Sequence, residues 1–227
     1  MKHIVGFSGG IDSQACARWV LNRFPKDDVI QLNSDAGGNE HPITTEFIQT
    51  YSRAVHPVVL VSPTIADMGN RAKGKIEALG LLPTDPLEFD TLALLKGRFP
   101  SKLAQFCTEA LKLSPARRWT EAMLPDGDYK RYAGVRVDES RGRANRQAVE
   151  WDDYFDCELC LPLFDWTKKM CFDYVEAHGE EYNPLYKLGF NRVGCAPCIN
   201  SSKDDILNWS RRFPEMIEKI RRWEQHV

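Results

Sequence analysis

The sequence predicts an α/β protein built on a parallel sheet, with an irregular, cysteine-bearing region toward its C-terminus. Three observations lead there. Short β-branched and aromatic runs alternate with longer stretches of helical apolar spacing. Gly-containing turns follow the first two of those runs, as they do in βα units. Beyond residue 146 the periodicity fades, and Cys, Trp and Pro crowd together.

Residues 3–7, HIVGF, read as a buried strand, and residues 11–24 carry apolar positions at helical spacing. Residues 29–33, VIQLN, form a second strand, followed by a polar turn over 34–40 and a helix over 42–55. Residues 58–61, VVLV, give a third strand. Residues 68–100 mix Gly and Pro with the apolar stretch FDTLALLKGRF, which suits two short helices with loops. Residues 102–123 read as largely helical, with Pro115 opening a new helix or kinking this one. A strand is expected over 130–137, a helix near 166–178 and one amphipathic helix over about 203–224. The domain reading is a nucleotide-binding core over 1–146 and a cysteine-bearing region over 147–227 packed on it.

Composition narrows the class. The 227 residues are 43% hydrophobic, enough for a globular core, and the net charge is −2 from 30 basic and 32 acidic residues. That balance argues for no global attraction to nucleic acid or membrane, although a local basic face remains open. Arg141, Arg143, Arg146, Lys168, Lys169, Arg211, Arg212, Arg221 and Arg222 are the candidates for such a face, equally readable as solvated charges. No apolar run reaches the ~18 residues of a membrane span, and a strand begins at once with no signal peptide before it. A cytoplasmic protein is expected, with its seven cysteines reduced and available for metal or catalysis.

The turn between the first strand and helix reads Ser8-Gly9-Gly10-Ile11-Asp12-Ser13. Glycines there let backbone approach a ligand, and the first amides of the helix lack internal partners. An anion, most often phosphate, suits that combination. Ser8 and Ser13 add hydroxyls, whereas Asp12 cannot attract phosphate and suits a cap or a magnesium-related role. A plain βα turn capped by Ser8 or Asp12 explains the same residues.

The six residues resemble the SGGxDS signature of the PP-loop, or adenine nucleotide alpha hydrolase-like, superfamily. That resemblance implies a Rossmann-type core and a pyrophosphate-binding loop. Other stretches resemble phosphoadenylyl sulfate reductases in family order. Asp35-Ala36-Gly37-Gly38-Asn39-Glu40-His41-Pro42 is similar to the turn that reads adenosine. Cys107 with Lys112 and Pro115 resembles the C-x-x-x-x-K-x-x-P helix, and Gly134, Arg136, Glu139, Ser140 and Arg143 resemble G-x-R-x-x-E-S-x-x-R. Asn183-Pro184-Leu185-Tyr186, Gly189 and Arg192-Val193-Gly194-Cys195-Ala196-Pro197-Cys198 resemble the family's ending. Lys112, Arg136 and Arg143 are thereby the candidate catalytic charges, the arginines as bidentate forks for phosphate or sulfate. Ser8, Gly9, Gly10, Asp12, Ser13, Asp35 and Gly37 would bind nucleotide, with Glu139 holding an arginine in place.

The cysteines allow two metal readings. Cys157, Cys160, Cys195 and Cys198 form two C-x-x-C pairs, as in a zinc ribbon. The resemblance instead implies a [4Fe–4S] cluster on Cys107, Cys160, Cys195 and Cys198. Phe106 stands where the cluster-bearing relatives have the first of two adjacent cysteines, and Cys160, just before the P-L-x-x-W-like segment from Pro162 to Trp166, would restore the count, with Cys157 as a substitute. Free thiols are the remaining reading, and Cys16 and Cys171 suit core packing.

The family's reductases attack sulfur with a cysteine in a C-terminal tail, and no cysteine follows Cys198 here. The favoured expectation is therefore ATP-dependent, pyrophosphate-releasing adenylyl and sulfur-transfer chemistry with Mg²⁺, similar to the DNA phosphorothioation sulfurtransferases. A phosphoadenylyl or adenylyl sulfate reductase using an external thiol is the alternative, and a non-catalytic nucleotide-binding module the second. A sulfur donor or thiol reductant protein would be the partner.

Overall fold

The computed structural model describes residues 1–70, 72–139 and 146–227. The chain forms two compact units, each assembled from three stretches. The first comprises residues 1–33, 42–59 and 120–188, the second residues 34–41, 60–119 and 189–227. The division expected at residue 146 does not coincide with these units, because later segments complete the first sheet and its helical layer.

The sheet has six strands in the order β3-β2-β1-β4-β6-β5. They are β1 (Lys2–Gly6), β2 (Val29–Ser34), β3 (Val58–Val61), β4 (Tyr129–Tyr132), β5 (Val149–Asp152) and β6 (Cys157–Cys160). β1 pairs in parallel with β2 and β4, and β4 with β6, whereas β5 runs antiparallel to β6. Central β1 is buried at His3, Ile4 and Val5, as its apolar run predicts.

Helices α1 (Ile11–Leu21), α2 (Pro42–Ala54) and α7 (Lys168–Ala177) belong to this unit. Val5, Phe7, Ile11, Val20, Ile48, Leu163 and Val175 build its core, and Cys16 and Cys171 lie fully buried within it, as packing residues should. The N-cap of α1 is Gly10 with no side-chain cap, so neither Ser8 nor Asp12 caps the helix.

The second unit contains α3 (Lys73–Ala78), α4 (Phe89–Lys96), the single turn α5 (Phe106–Thr108), α8 (Lys203–Arg212) and α9 (Pro214–Glu224). Ile65, Met68, Leu87, Leu92, Leu111 and Trp223 form its core. From α5 the chain continues as a π-helical stretch over Glu109–Leu113 into α6 (Ser114–Met123), with Pro115 in the first turn. Wide turns of this kind recur at functional sites, and this one carries Lys112.

Three expectations are corrected. The single helix over 203–224 is two helices, because Pro214 forces Phe213 out of helical geometry (φ −137°, ψ 64°). The irregular region after residue 146 holds an edge hairpin, β5–β6. The strand expected over 130–137 ends at Tyr132, and residues beyond it turn past α1 at Gly134. Among the described residues, no helix is long and apolar enough to cross a membrane.

Candidate functional site

In the first unit the turn after β1 is held by bonds that leave its ligand-facing amides open. Ser13 Oγ accepts from the Ser8 amide at 3.1 Å and donates to the Gly10 carbonyl at 2.8 Å. The Ile11 amide donates to Tyr186 Oη at 2.9 Å, and Asn183 Nδ2 donates to the Gly9 carbonyl at 3.3 Å. Gly9 sits at φ +73°, and a Cβ there would lie 3.1 Å from the side chains of Thr44 and Ile48. Among the described residues, the amides of Gly9, Gly10, Asp12 and Ser13 have no acceptor. Four donors converging on one loop at a helix N-terminus form a nest for a tetrahedral anion.

The Asp12 side chain is engaged by an arginine. Its carboxylate accepts from Arg136 Nε at 2.7 Å and from Nη2 at 3.4 Å, while Arg136 Nη1 pairs with Asp138. Burial, reinforced by the nearby Asp12 carboxylate, pushes the Cys171 pKa up to about 12. Of the two roles expected of Asp12, the cap is absent. Arg136, expected to contact phosphate, is buried and held by two acids, the work expected of Glu139. Arg143 and Ser140 lie outside the described residues.

The second unit gathers the acidic turn and three cysteines. Asp35 Oδ1 accepts from the Gly38 amide at 3.2 Å. Gly37, at φ +64°, brings its backbone against α4, where a Cβ would lie 2.8 Å from the Leu87 carbonyl oxygen. The Glu40 and Cys195 backbones pair as an antiparallel bridge, and the Ala196 amide donates to the Asn39 carbonyl at 2.9 Å. Lys112 hydrogen-bonds to Cys195, with Glu40 and Cys198 contributing to the charge around it. Burial pushes the Glu40 carboxyl up to about 7, against the pull of Lys112.

Cys195 and Cys198 hydrogen-bond to each other and titrate as a pair. The bond from Cys195 draws Cys198 down. Arg192, Lys112 and the Asn200 amide, 3.4 Å from Sγ, add to that effect. Cys195 is raised, first by that hydrogen bond and then by burial. Cys107 also feels Cys195 and Lys112, with burial holding its thiol above the usual range.

Cys157 and Cys160 are in the first unit, on strand β6. Residues three apart on a strand point to opposite faces, so this C-x-x-C cannot close on one ion, and the zinc-ribbon reading is set aside. Cys160 hydrogen-bonds to Tyr132 and packs against the core. Among the described residues, no three His, Cys, Asp or Glu side chains are gathered as ligands of a single ion. An iron–sulfur cluster makes a different demand, since each thiolate binds a separate iron. Cys107, Cys195 and Cys198 beside the cationic Lys112 have the donor chemistry for it.

Residues 85–201 match the phosphoadenosine phosphosulfate reductase domain, just over half of the chain. The chain belongs to that family. An uncharacterized protein of Escherichia phage 186 is 31% identical, the match covering 99% of this chain and 75% of the relative. The adenosine 5'-phosphosulfate reductase of Allochromatium vinosum is 34% identical over 43% of this chain and 36% of its own length. An uncharacterized protein of Methanocaldococcus jannaschii is 30% identical over 97% of this chain, which spans only 40% of that relative. The phosphoadenylyl-sulfate reductase structure from Candida auris superposes with a TM-score of 0.57 at 16% identity, covering 86% of this chain and 81% of that one. Candida glabrata FMN adenylyltransferase gives a TM-score of 0.52 at 12% identity, covering 86% of this chain and 55% of that one. Both likenesses establish the fold, an α/β domain on a mostly parallel sheet.

Sequence reasoning missed several site residues of this reductase-family domain. Tyr186 and Asn183 lie in a recognised motif, yet their bonds to the loop span 175 and 174 positions. Glu40 and Asn39 sit inside the acidic turn, and only folding reveals their attachment to the cysteine loop.

Proposed function

We propose that the chain is an adenine-nucleotide enzyme that performs pyrophosphate-releasing adenylyl transfer coupled to sulfur transfer. The observation that carries this reading is the nest of four open amides at Gly9, Gly10, Asp12 and Ser13. ATP phosphates bind there. An acceptor oxygen attacks the α-phosphorus, the bond to the bridging oxygen breaks, and pyrophosphate leaves with the electron pair. Amide donors fixed before reaction stabilise the developing charge without reorganising, which is where most of the acceleration arises.

Cys107, Cys195 and Cys198 would hold a [4Fe–4S] cluster, with Lys112 balancing thiolate charge. Such a cluster, when bound, supplies electrons or sulfur to the reaction. Cys160 stays in the first unit, bonded to Tyr132.

The likeness to adenosine 5'-phosphosulfate reductases favours a second reading. A partner's thiolate attacks the sulfur of a sulfonucleotide, the S–O bond breaks and the adenine nucleotide leaves. A second thiol then frees sulfite and leaves a disulfide. The amide nest serves sulfate as readily as phosphate.

Anaerobically purified protein, incubated with ATP and MgCl₂ or with adenylyl sulfate and a dithiol, separates these readings. Pyrophosphate from ATP supports adenylyl transfer. Sulfite from the sulfonucleotide replaces it with reduction, and neither product despite nucleotide binding leaves a binding module.

A further inference from the structure

Arg136 is a buried cation beside a loop proposed to hold phosphates, yet its guanidinium is taken up by carboxylates. Nε and Nη2 go to Asp12, at 2.7 and 3.4 Å, and Nη1 goes to Asp138. Its side chain is 5% exposed, and two carboxylates surround one guanidinium, so little positive potential is left for an anion. The segment carrying Arg136 also presses on Asp12 directly. A Cβ on Gly134 would fall 2.2 Å from the Asp12 carbonyl oxygen and 2.9 Å from the Ser13 amide nitrogen. The buried Cys171 lies near enough to Asp12 for that carboxylate to raise its pKa.

We infer that Arg136 is a positioning residue that holds the phosphate loop from behind, through Asp12, rather than a charge that touches the bound anion. Asp12 is the second residue of α1, between the Gly10 and Ser13 amides of the nest. A bidentate fork on its carboxylate fixes the rotation of the first helical turn and therefore the direction of those amides. Gly134 permits the approach and Arg136 locks it. The inference rests on the reading that this loop binds nucleotide phosphates.

Electrostatics and positioning predict opposite signs for one substitution. Asp12→Asn removes a negative charge beside the anion site, so if Arg136 touched the anion, binding would tighten. If Asp12 is the strut, Asp12→Asn weakens binding despite the favourable charge change. The experiment is calorimetric titration of the full chain with ATP, and separately with adenylyl sulfate, for wild type, Asp12→Asn, Arg136→Met and the double variant. Expected are losses of ~10-fold or more for each single variant, the scale of one charged hydrogen bond. The double variant should bind no worse than the weaker single, because both act through one strut. The salt dependence of Arg136→Met should match wild type, since no ion contact with ligand is lost.

Unchanged or tighter binding by Asp12→Asn overturns the inference, as does a double loss equal to the sum of the singles. If Arg136→Met fails to fold, the sign of the Asp12→Asn effect alone decides. A wild-type chain that binds neither nucleotide overturns the phosphate reading of the loop and this inference with it. Wild-type binding with the wrong variant pattern overturns the inference alone.

Discussion

Gly134→Ala tests how the first unit aims its loop. The added methyl would stand 2.2 Å from the Asp12 carbonyl oxygen, 2.5 Å from its carbonyl carbon and 2.9 Å from the Ser13 nitrogen. All three are backbone atoms of the first turn of α1, so no side chain can swing aside. Relief requires α1 and the segment after β4 to part by roughly 1 Å, the gap between 2.2 Å and ordinary carbon–oxygen contact. Overpacking against fixed structure costs about 1–3 kcal/mol, and a backbone clash belongs at the upper end. At ~2–4 °C per kcal/mol for a chain of this size, the melting temperature should fall by about 6–12 °C. ATP affinity should fall with it, because the displaced turn carries two of the four open amides. Gly127→Ala is the control: Gly127, unlike Gly134, is at positive φ (+68°), but nothing lies within 4 Å of its Cβ position, so only backbone strain of about 1 kcal/mol applies. Differential scanning fluorimetry and nucleotide titration on both variants decide. A Gly134→Ala protein melting within 1–2 °C of wild type (well under 1 kcal/mol), with unchanged affinity, refutes the reasoning.

Other predictions follow from the same geometry. Cys107→Ser, Cys195→Ser and Cys198→Ser should each lose most iron, sulfide and visible absorbance after anaerobic purification, whereas Cys157→Ser and Cys160→Ser keep them. Iron loss in Cys160→Ser would restore the four-cysteine ligand set. His3 is buried, bonded to Tyr132 at 2.9 Å, and its pKa is lowered, chiefly by desolvation. The unfolded chain therefore takes up this proton more readily, so the contribution is present above the unfolded pKa of ~6.5 and is lost as pH falls below it. Denaturant midpoints should drop between pH 7 and 5, and His3→Gln should flatten part of the slope, with His41 retaining a share of the same sign. An unaltered slope would contradict the assignment. Ser202 caps α8, accepting from the Asp205 amide at 3.0 Å and donating to its carboxylate at 2.8 Å. Ser202→Ala should cost about 1 kcal/mol, readable as a fall of ~2–4 °C in melting temperature.

Much of the frame was legible because it is local. The run at residues 3–7, the Ser-Gly-Gly turn and the helix after it are set by neighbours in sequence, and the structure keeps them with shifts of a few residues at their ends. Pro214 was a local signal that the amphipathic pattern of 203–224 masked, since both halves share that pattern. Strand β6 was missed because C-E-L-C advertises a metal loop, and spacing alone does not say whether backbone is looped or extended. The site divides the same way. The loop's glycines and serines could be read in place, but the partner of Arg136 lies 124 positions away. A pattern that supplies an arginine cannot say whether its fork meets a ligand or an aspartate. The attachment of Asn39 and Glu40 to Cys195 and Ala196 is equally long-range. Such pairings depend on which buried charges and backbone groups need partners, and that is decided only when the chain packs.

The claim on which the rest depends is that the amides of Gly9, Gly10, Asp12 and Ser13 hold the phosphates. Its most direct test follows backbone ¹H–¹⁵N resonances of the full chain as ATP is added. These four amides should shift downfield together along one saturable curve, while the Ile11 amide, already bonded to Tyr186, moves least within the loop. ATP binding that saturates while these four resonances stay in place would contradict it.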